Sequence, residues 1–165
     1  MAGAAIKRLK AEFKKLTEDP PEGIVAGPKS CDNFFEWEAL IKGPEQSPFE
    51  GGLFTTILTF PLDYPLNPPK LRFVNEIFHP NIYKDGNVCI SILHPPGEDP
   101  TGYESSQERW SPVQSVEKIL LSVLSILAEP NADSPANVDA GKMYRDNYDS
   151  FVQRARATVR QSLGV

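Results

Sequence analysis

Cysteine and histidine are scarce. The 165 residues contain two of each: Cys31 and Cys89, His79 and His94. Two cysteines give no disulfide framework, which points to a reducing cytosolic or nuclear compartment. Dispersed as they are, the four residues show no metal-ligand spacing, so no metal is expected. No apolar run approaches the roughly 18 residues of a membrane span, so no direct membrane insertion is expected. The start, Ala2-Gly3-Ala4-Ala5-Ile6, turns charged at Lys7-Arg8 and has no signal-peptide apolar region. Basic residues are outnumbered 17 to 22, for a net charge of −5, which argues against nucleic acid as the main partner. There is no internal repeat, and the length fits one domain, residues 1–165. Proline, by contrast, is plentiful at 16 residues, clustered between candidate elements. That predicts stiff, ordered connections rather than disorder.

Ile6, Leu9, Phe13 and Leu16 recur at three- and four-residue steps, which predicts an amphipathic helix over about 3–17. Its other face carries Lys7, Arg8, Lys10, Lys14 and Lys15, read either as a solvated face or as a docking surface for an acidic partner. Strands are predicted at 23–27, at 34–41, from Gly51-Gly52 onward and at 70–74. In the second, Phe35, Trp37, Ala39 and Ile41 alternate with Phe34, Glu36, Glu38 and Leu40; in the third, Phe54, Thr56, Leu58 and Phe60 share a face. No helical pattern separates these strands, which favours an antiparallel meander in an α+β fold. The stretch 60–69 is too rich in proline for a strand and should be a stiff loop exposing Leu66. Residues 95–108 lack apolar periodicity and form a loop insert. A broad apolar face (Val113, Val116, Ile119, Leu120, Val123, Leu124, Leu127) marks a central core helix. Ser111 is read as its cap, Pro112 as its first turn and Gln114 as its capping-box partner. A short helix from Pro135 to about Asn147 and a last one over about 148–163 follow, the latter with Phe151, Val152, Ala155, Val159 and Leu163 inward.

Cys89 stands out for its surroundings. His79-Pro80-Asn81 precedes it, the turn Lys84-Asp85-Gly86 leads into it, and Trp110-Ser111-Pro112 follows the insert. A thiol on a loop, near an amide held by a proline turn, suits nucleophilic catalysis, because a thiolate both attacks and leaves well. A cysteine hydrolase using His79 is the less favoured alternative. His79 is fused to Pro80 in a rigid turn and reads as a packed structural group. His94 reads as a loop residue rather than a base.

The Pro-rich 60–69 stretch, His79-Pro80-Asn81, Cys89 and Trp110-Ser111-Pro112 occur together and in order, and on these motifs the chain resembles the ubiquitin-conjugating enzymes from its first helix to its last. The segment between Cys89 and Trp110 is longer than in most members, and with its Pro-Gly-Glu-Asp-Pro run it resembles the G2-type subclass that works in endoplasmic-reticulum-associated degradation. Two departures accompany the likeness. Position 91 is Ser where many members carry Asp, and the acid after Pro130-Asn131 appears as Asp133 followed by Ser134.

The resemblance implies a four-stranded meander with an N-terminal helix, a central core helix and two C-terminal helices. It implies that Cys89 carries ubiquitin as a thioester received from an activating enzyme, with no bound cofactor, since ATP is used upstream. A ligase of the RING type would then direct transfer to lysines, building degradation-type chains. Asn81 would stabilise the oxyanion or order the loop; a turn-satisfying role stays open beside both. Asp133, Glu98 and Asp99 are candidates for positioning the acceptor lysine, each also readable as a solvated loop acid. Tyr83 would pack beside that lysine, Tyr103 and Glu108 would shape the insert, and the insert would gate the thioester. The implied ligase surface is Lys7, Arg8, Leu66, Pro112 and Val113, with Lys7 and Arg8 on the basic helix the activating enzyme would share. The outer sheet face, with Val25, Glu36 and Glu38, is a candidate site for a tethering factor. Localisation is expected to be cytoplasmic, with peripheral recruitment to the endoplasmic-reticulum membrane by partners. A non-catalytic module of the same fold is a further alternative, disfavoured because Cys89 and Asn81 are both present.

Overall fold

Trp37, Ala39 and Ile41 are all fully buried while Glu38 between them is exposed, so the period-two pattern in the sequence is a true strand with one wet face. A computed structural model describes residues 2–97 and 105–165. Its strands β1 (Ile24–Ser30), β2 (Asn33–Lys42), β3 (Leu53–Thr59) and β4 (Lys70–Phe73) form one antiparallel sheet in chain order. Register places Trp37 opposite Leu58, Ala39 opposite Thr56 and Ile41 opposite Phe54, which gathers the apolar faces of neighbouring strands on one side. Thr56 is buried among them, and its hydroxyl donates to the Ala39 carbonyl at 3.0 Å.

Four helices complete the α+β arrangement: α1 (Ala2–Glu18), α2 (Val116–Ala128), α3 (Val138–Asp146) and α4 (Tyr148–Ser162). Helix α1 packs on β1 and β2, where the Phe13 ring meets Trp37 edge-on at 5.8 Å. One hydrophobic cluster joins the inner sheet face to Ile119, Leu120, Val123 and Leu127 of α2 and to Phe151, Ala155 and Val159 of α4. Burying a large side chain of this kind stabilises the fold by about 1.5–3 kcal/mol. Asn147 is both the C-cap of α3 and the N-cap of α4, its side chain accepting from the Ser150 N–H at 3.3 Å.

The central helix begins later than its sequence suggests. Ser115, not Ser111, is the cap, with extended backbone and a side chain that accepts from the Lys118 N–H at 3.2 Å. Residues 111–114 form a turn closed by the Gln114 N–H to the Ser111 carbonyl at 2.9 Å. Val113 is therefore 84% exposed rather than on the core face, and the Gln114 side chain donates to the Arg109 carbonyl instead of completing a capping box. Helix α3 likewise starts past Pro135, capped by Asn137, because the Ala136 and Asn137 N–H groups are taken by the Pro80 carbonyl. Leu163 lies outside the last helix and is half exposed, followed by Gly164 with its positive φ. The Pro-rich stretch is ordered by short turns, with Tyr64 buried and Leu66 61% exposed.

Candidate active site

His79-Pro80-Asn81 is a hub, and each of its residues ties a different segment. The His79 ring is fully buried. Its Nε2 lies 2.6 Å from the Ile126 carbonyl near the end of α2, and its Nδ1 accepts the Asn81 N–H at 2.9 Å. Those two partners assign the proton to Nε2, because only Nδ1 faces a donor. Burial drives the His79 pKa down to about 4. The Pro80 carbonyl accepts from Ala136 at 2.8 Å and from Asn137 at 3.1 Å. Asn81 is buried; its side-chain Nδ2 donates to the Asn131 carbonyl at 2.7 Å, and its Oδ1 accepts the Asn131 N–H at 2.9 Å. Asn131 had no visible role in the sequence.

From Asn81 the chain runs to the tip of a tight hairpin. Ile82 bridges Val88, and the Tyr83 N–H donates to the Asn87 carbonyl at 2.8 Å. Asp85 accepts from the Asn87 N–H and side-chain amide, which holds its carboxyl below the usual range. Gly86 has φ +97, and a Cβ there would lie 2.2 Å from the Phe73 carbonyl oxygen, so this turn requires glycine. The strand returns at Cys89, whose N–H donates to the Asn81 carbonyl at 2.9 Å.

The Cys89 thiol is free and half-buried. It sits on a cleft of about 1070 Å³ shared with Asn81, Asn131, Asp133 and the α2 residues Lys118 and Leu121. The Tyr83 phenol lies near the thiol, and negative charge on Cys89 pushes its pKa up. Asp133 is exposed, with its N–H turned back onto the Asn131 side chain at 3.0 Å. The structure thus brings Cys89, Asn81 and Asp133 to one cleft, while Tyr83 lines a neighbouring hollow with Asn137 and Asp139. Glu98, Asp99 and Tyr103 lie outside the described residues. The stem of the insert is closed by the Trp110 N–H to the His94 carbonyl at 3.0 Å. Among the described residues, no cluster of three or more His, Cys, Asp or Glu has metal-binding geometry.

The remaining candidate residues lie on a separate surface. Lys7 is exposed on α1, Leu66 protrudes from the Pro-rich loop, and Pro112 and Val113 project from the turn before α2. Arg8 behaves differently: its guanidinium donates to the Pro112 carbonyl at 3.0 Å and the Gln114 carbonyl at 2.7 Å. On the opposite sheet face Val25 is 71% exposed, and Glu36 pairs with Lys29 at 3.3 Å.

The profile of the family described as "Ubiquitin-conjugating enzyme" matches residues 8–159. The chain belongs to the ubiquitin-conjugating enzyme family. It is 69% identical over all 165 residues, the full length of both chains, to "Ubiquitin-conjugating enzyme E2 G2" of Homo sapiens. It is 60% identical to "Ubiquitin-conjugating enzyme E2-18 kDa" of Schizosaccharomyces pombe, covering 98% of this chain and 97% of that one. "Ubiquitin-conjugating enzyme E2 7" of Arabidopsis thaliana is 49% identical, covering 98% of each. As a ubiquitin-conjugating enzyme of the G2 type it works with ubiquitin, an activating enzyme and a ligase. A half-buried thiol at the rim of an open cleft suits a carrier that must admit another protein's extended tail. Among the described residues, no helix is long and apolar enough to cross a membrane.

Proposed function

We propose that Cys89 carries ubiquitin as a thioester and that the 165 residues act as one catalytic domain. The observation that carries this is the placement of the Cys89 thiol on the open cleft, beside Tyr83 and backed by Asn81. The thiolate attacks the ubiquitin thioester on the activating enzyme; one S–C bond forms and the other breaks. An acceptor lysine amine then attacks the Cys89 thioester, an isopeptide bond forms and the thiolate leaves. ATP is consumed upstream, and no cofactor or metal enters the step.

Two features support roles for the neighbours. Asn81 orders the loop through Asn131; in this reading its amide also donates to the developing oxyanion, and a preplaced donor of that kind lowers a barrier by about 3 kcal/mol. The acceptor lysine, with a reference pKa of about 10.4, must lose a proton. Asp133 on the cleft, with Glu98 and Asp99 of the insert, positions the amine or takes that proton. Tyr83 packs beside the incoming lysine.

The ligase is of the RING type and docks on Lys7, Leu66, Pro112 and Val113, with Arg8 in support. The likeness to the G2 type supports chain building in endoplasmic-reticulum-associated degradation, by a cytoplasmic enzyme recruited to that membrane through partners. A tethering factor binds the outer sheet face at Val25.

Incubation with activating enzyme, ATP and ubiquitin should yield a thiol-sensitive adduct on a non-reducing gel. Cys89→Ser should give an ester and Cys89→Ala nothing. An adduct that survives in Cys89→Ala would sink the assignment. Unchanged lysine discharge after deletion of residues 95–107 would remove the insert from the mechanism.

A further inference from the structure

One carboxylate joins the three segments that form the proposed ligase surface. Glu12 lies on α1, and its side chain is only 11% exposed. Its Oε1 accepts the Val116 N–H, the first of α2, at 2.7 Å. Its Oε2 accepts from the Tyr64 hydroxyl in the Pro-rich loop and from Arg8 Nε at 2.9 Å. Arg8 carries the link onward to the Pro112 and Gln114 carbonyls. Three of its five N–H donors are therefore spent inside the protein. The Trp110 indole N–H donates to the Pro65 carbonyl at 2.8 Å, bracing the same loop from the other side.

These bonds converge beneath two exposed apolar prongs. Leu66 stands two residues beyond Tyr64, and Val113 lies between the two carbonyls that Arg8 holds. We infer that Glu12 and Arg8 are positioning residues for ligase recognition, setting the separation of Leu66 and Val113 from beneath rather than touching the partner. This rests on the docking surface proposed above. Arg8 then acts by geometry, whereas its exposed neighbour Lys7 acts by charge. The two modes differ in salt response, because exposed charge contacts are screened and partly buried bonds are screened much less.

The test measures binding to the RING domain that, from a purified panel, most strongly stimulates chain synthesis by the unmodified enzyme. Glu12→Gln replaces an acceptor oxygen by an amide that opposes other donors. Glu12→Gln and Arg8→Ala should each weaken binding about tenfold, equally at low and high ionic strength, as expected for lost hydrogen bonds to a charged group. The loss should appear in KM for the RING domain, with kcat at saturation within about twofold. Tyr64→Phe, which removes one bond without touching charge, should show a smaller loss of the same kind if Glu12→Gln fails to fold. Lys7→Ala should lose affinity only at low salt. Leu66→Ala and Val113→Ala serve as reference. If these two bind weakly while Glu12→Gln and Tyr64→Phe bind normally, the positioning role is wrong and the surface stands. If Leu66→Ala and Val113→Ala bind normally, or no RING domain stimulates the unmodified enzyme, the surface itself is wrong and this inference falls with it. Disappearance of the Arg8→Ala defect at high salt would make Arg8 a direct contact and overturn its assignment.

Discussion

Asn81 and Asn131 are paired through both ends of one side-chain amide: Nδ2 donates to the Asn131 carbonyl at 2.7 Å and Oδ1 accepts its N–H at 2.9 Å. The same Asn81 accepts the Cys89 N–H with its own carbonyl. One residue therefore ties the thiol-bearing strand to the segment that presents Asp133.

Asn81→Ala should leave the Asn131 backbone groups unpaired and cost about 2 kcal/mol of stability. Discharge of Cys89-linked ubiquitin to lysine should fall about 100-fold, followed by single-turnover assay. Asn81→Asp keeps the acceptor but loses the donor. If Asn81→Asp discharges at the unmodified rate, the oxyanion role is wrong and loop ordering alone remains.

His79 makes stability depend on pH. Its native pKa is about 4, below the 6.5 of the unfolded chain, so the unfolded state binds the extra proton between those values. The contribution is fully present above pH 6.5 and is lost as pH falls towards 4, for a total of about 3 kcal/mol. Urea unfolding across that window should show the slope, and His79→Asn should flatten it. An equal slope in both proteins would refute the prediction.

The Tyr83 phenol should titrate above its ordinary value of about 10, because negative charge on Cys89 opposes its ionisation. Cys89→Ala should return it toward that value. Resonances of the Tyr83 ring carbon bearing the hydroxyl, followed by NMR against pH, report this directly. No change between the two proteins would mean that thiol and phenol do not interact in solution.

Ser115→Ala should destabilise the protein by about 1 kcal/mol through loss of the α2 cap, whereas Ser111→Ala should have little effect. Thermal or urea unfolding of the two variants decides it; the reverse order would restore the cap read from sequence.

Much of the architecture was legible residue by residue. The alternation Trp37-Glu38-Ala39-Leu40-Ile41 marked a strand with one buried face, since side-chain period two is local backbone geometry. The motif His79-Pro80-Asn81 with Cys89 marked the candidate site, because fixed spacing limits where a turn can deliver a thiol. Element starts were less legible. Ser111-Pro112 looked like a helix start, but Arg8 holds the Pro112 and Gln114 carbonyls and Glu12 takes the Val116 N–H.

The sequence by itself determined the strands, most of the apolar faces of the helices and the choice of Cys89 as the candidate nucleophile. These follow from periodicity and motif order, which are properties of neighbouring residues. The tertiary structure alone decided that Asn131 is the partner of Asn81, that Arg8 turns inward and that Glu12 unites three segments. Such pairings join residues fifty or a hundred positions apart. Most of the partners are backbone N–H and C=O groups, which nearly every residue carries, so nothing in the side-chain order distinguishes them until folding brings them within reach.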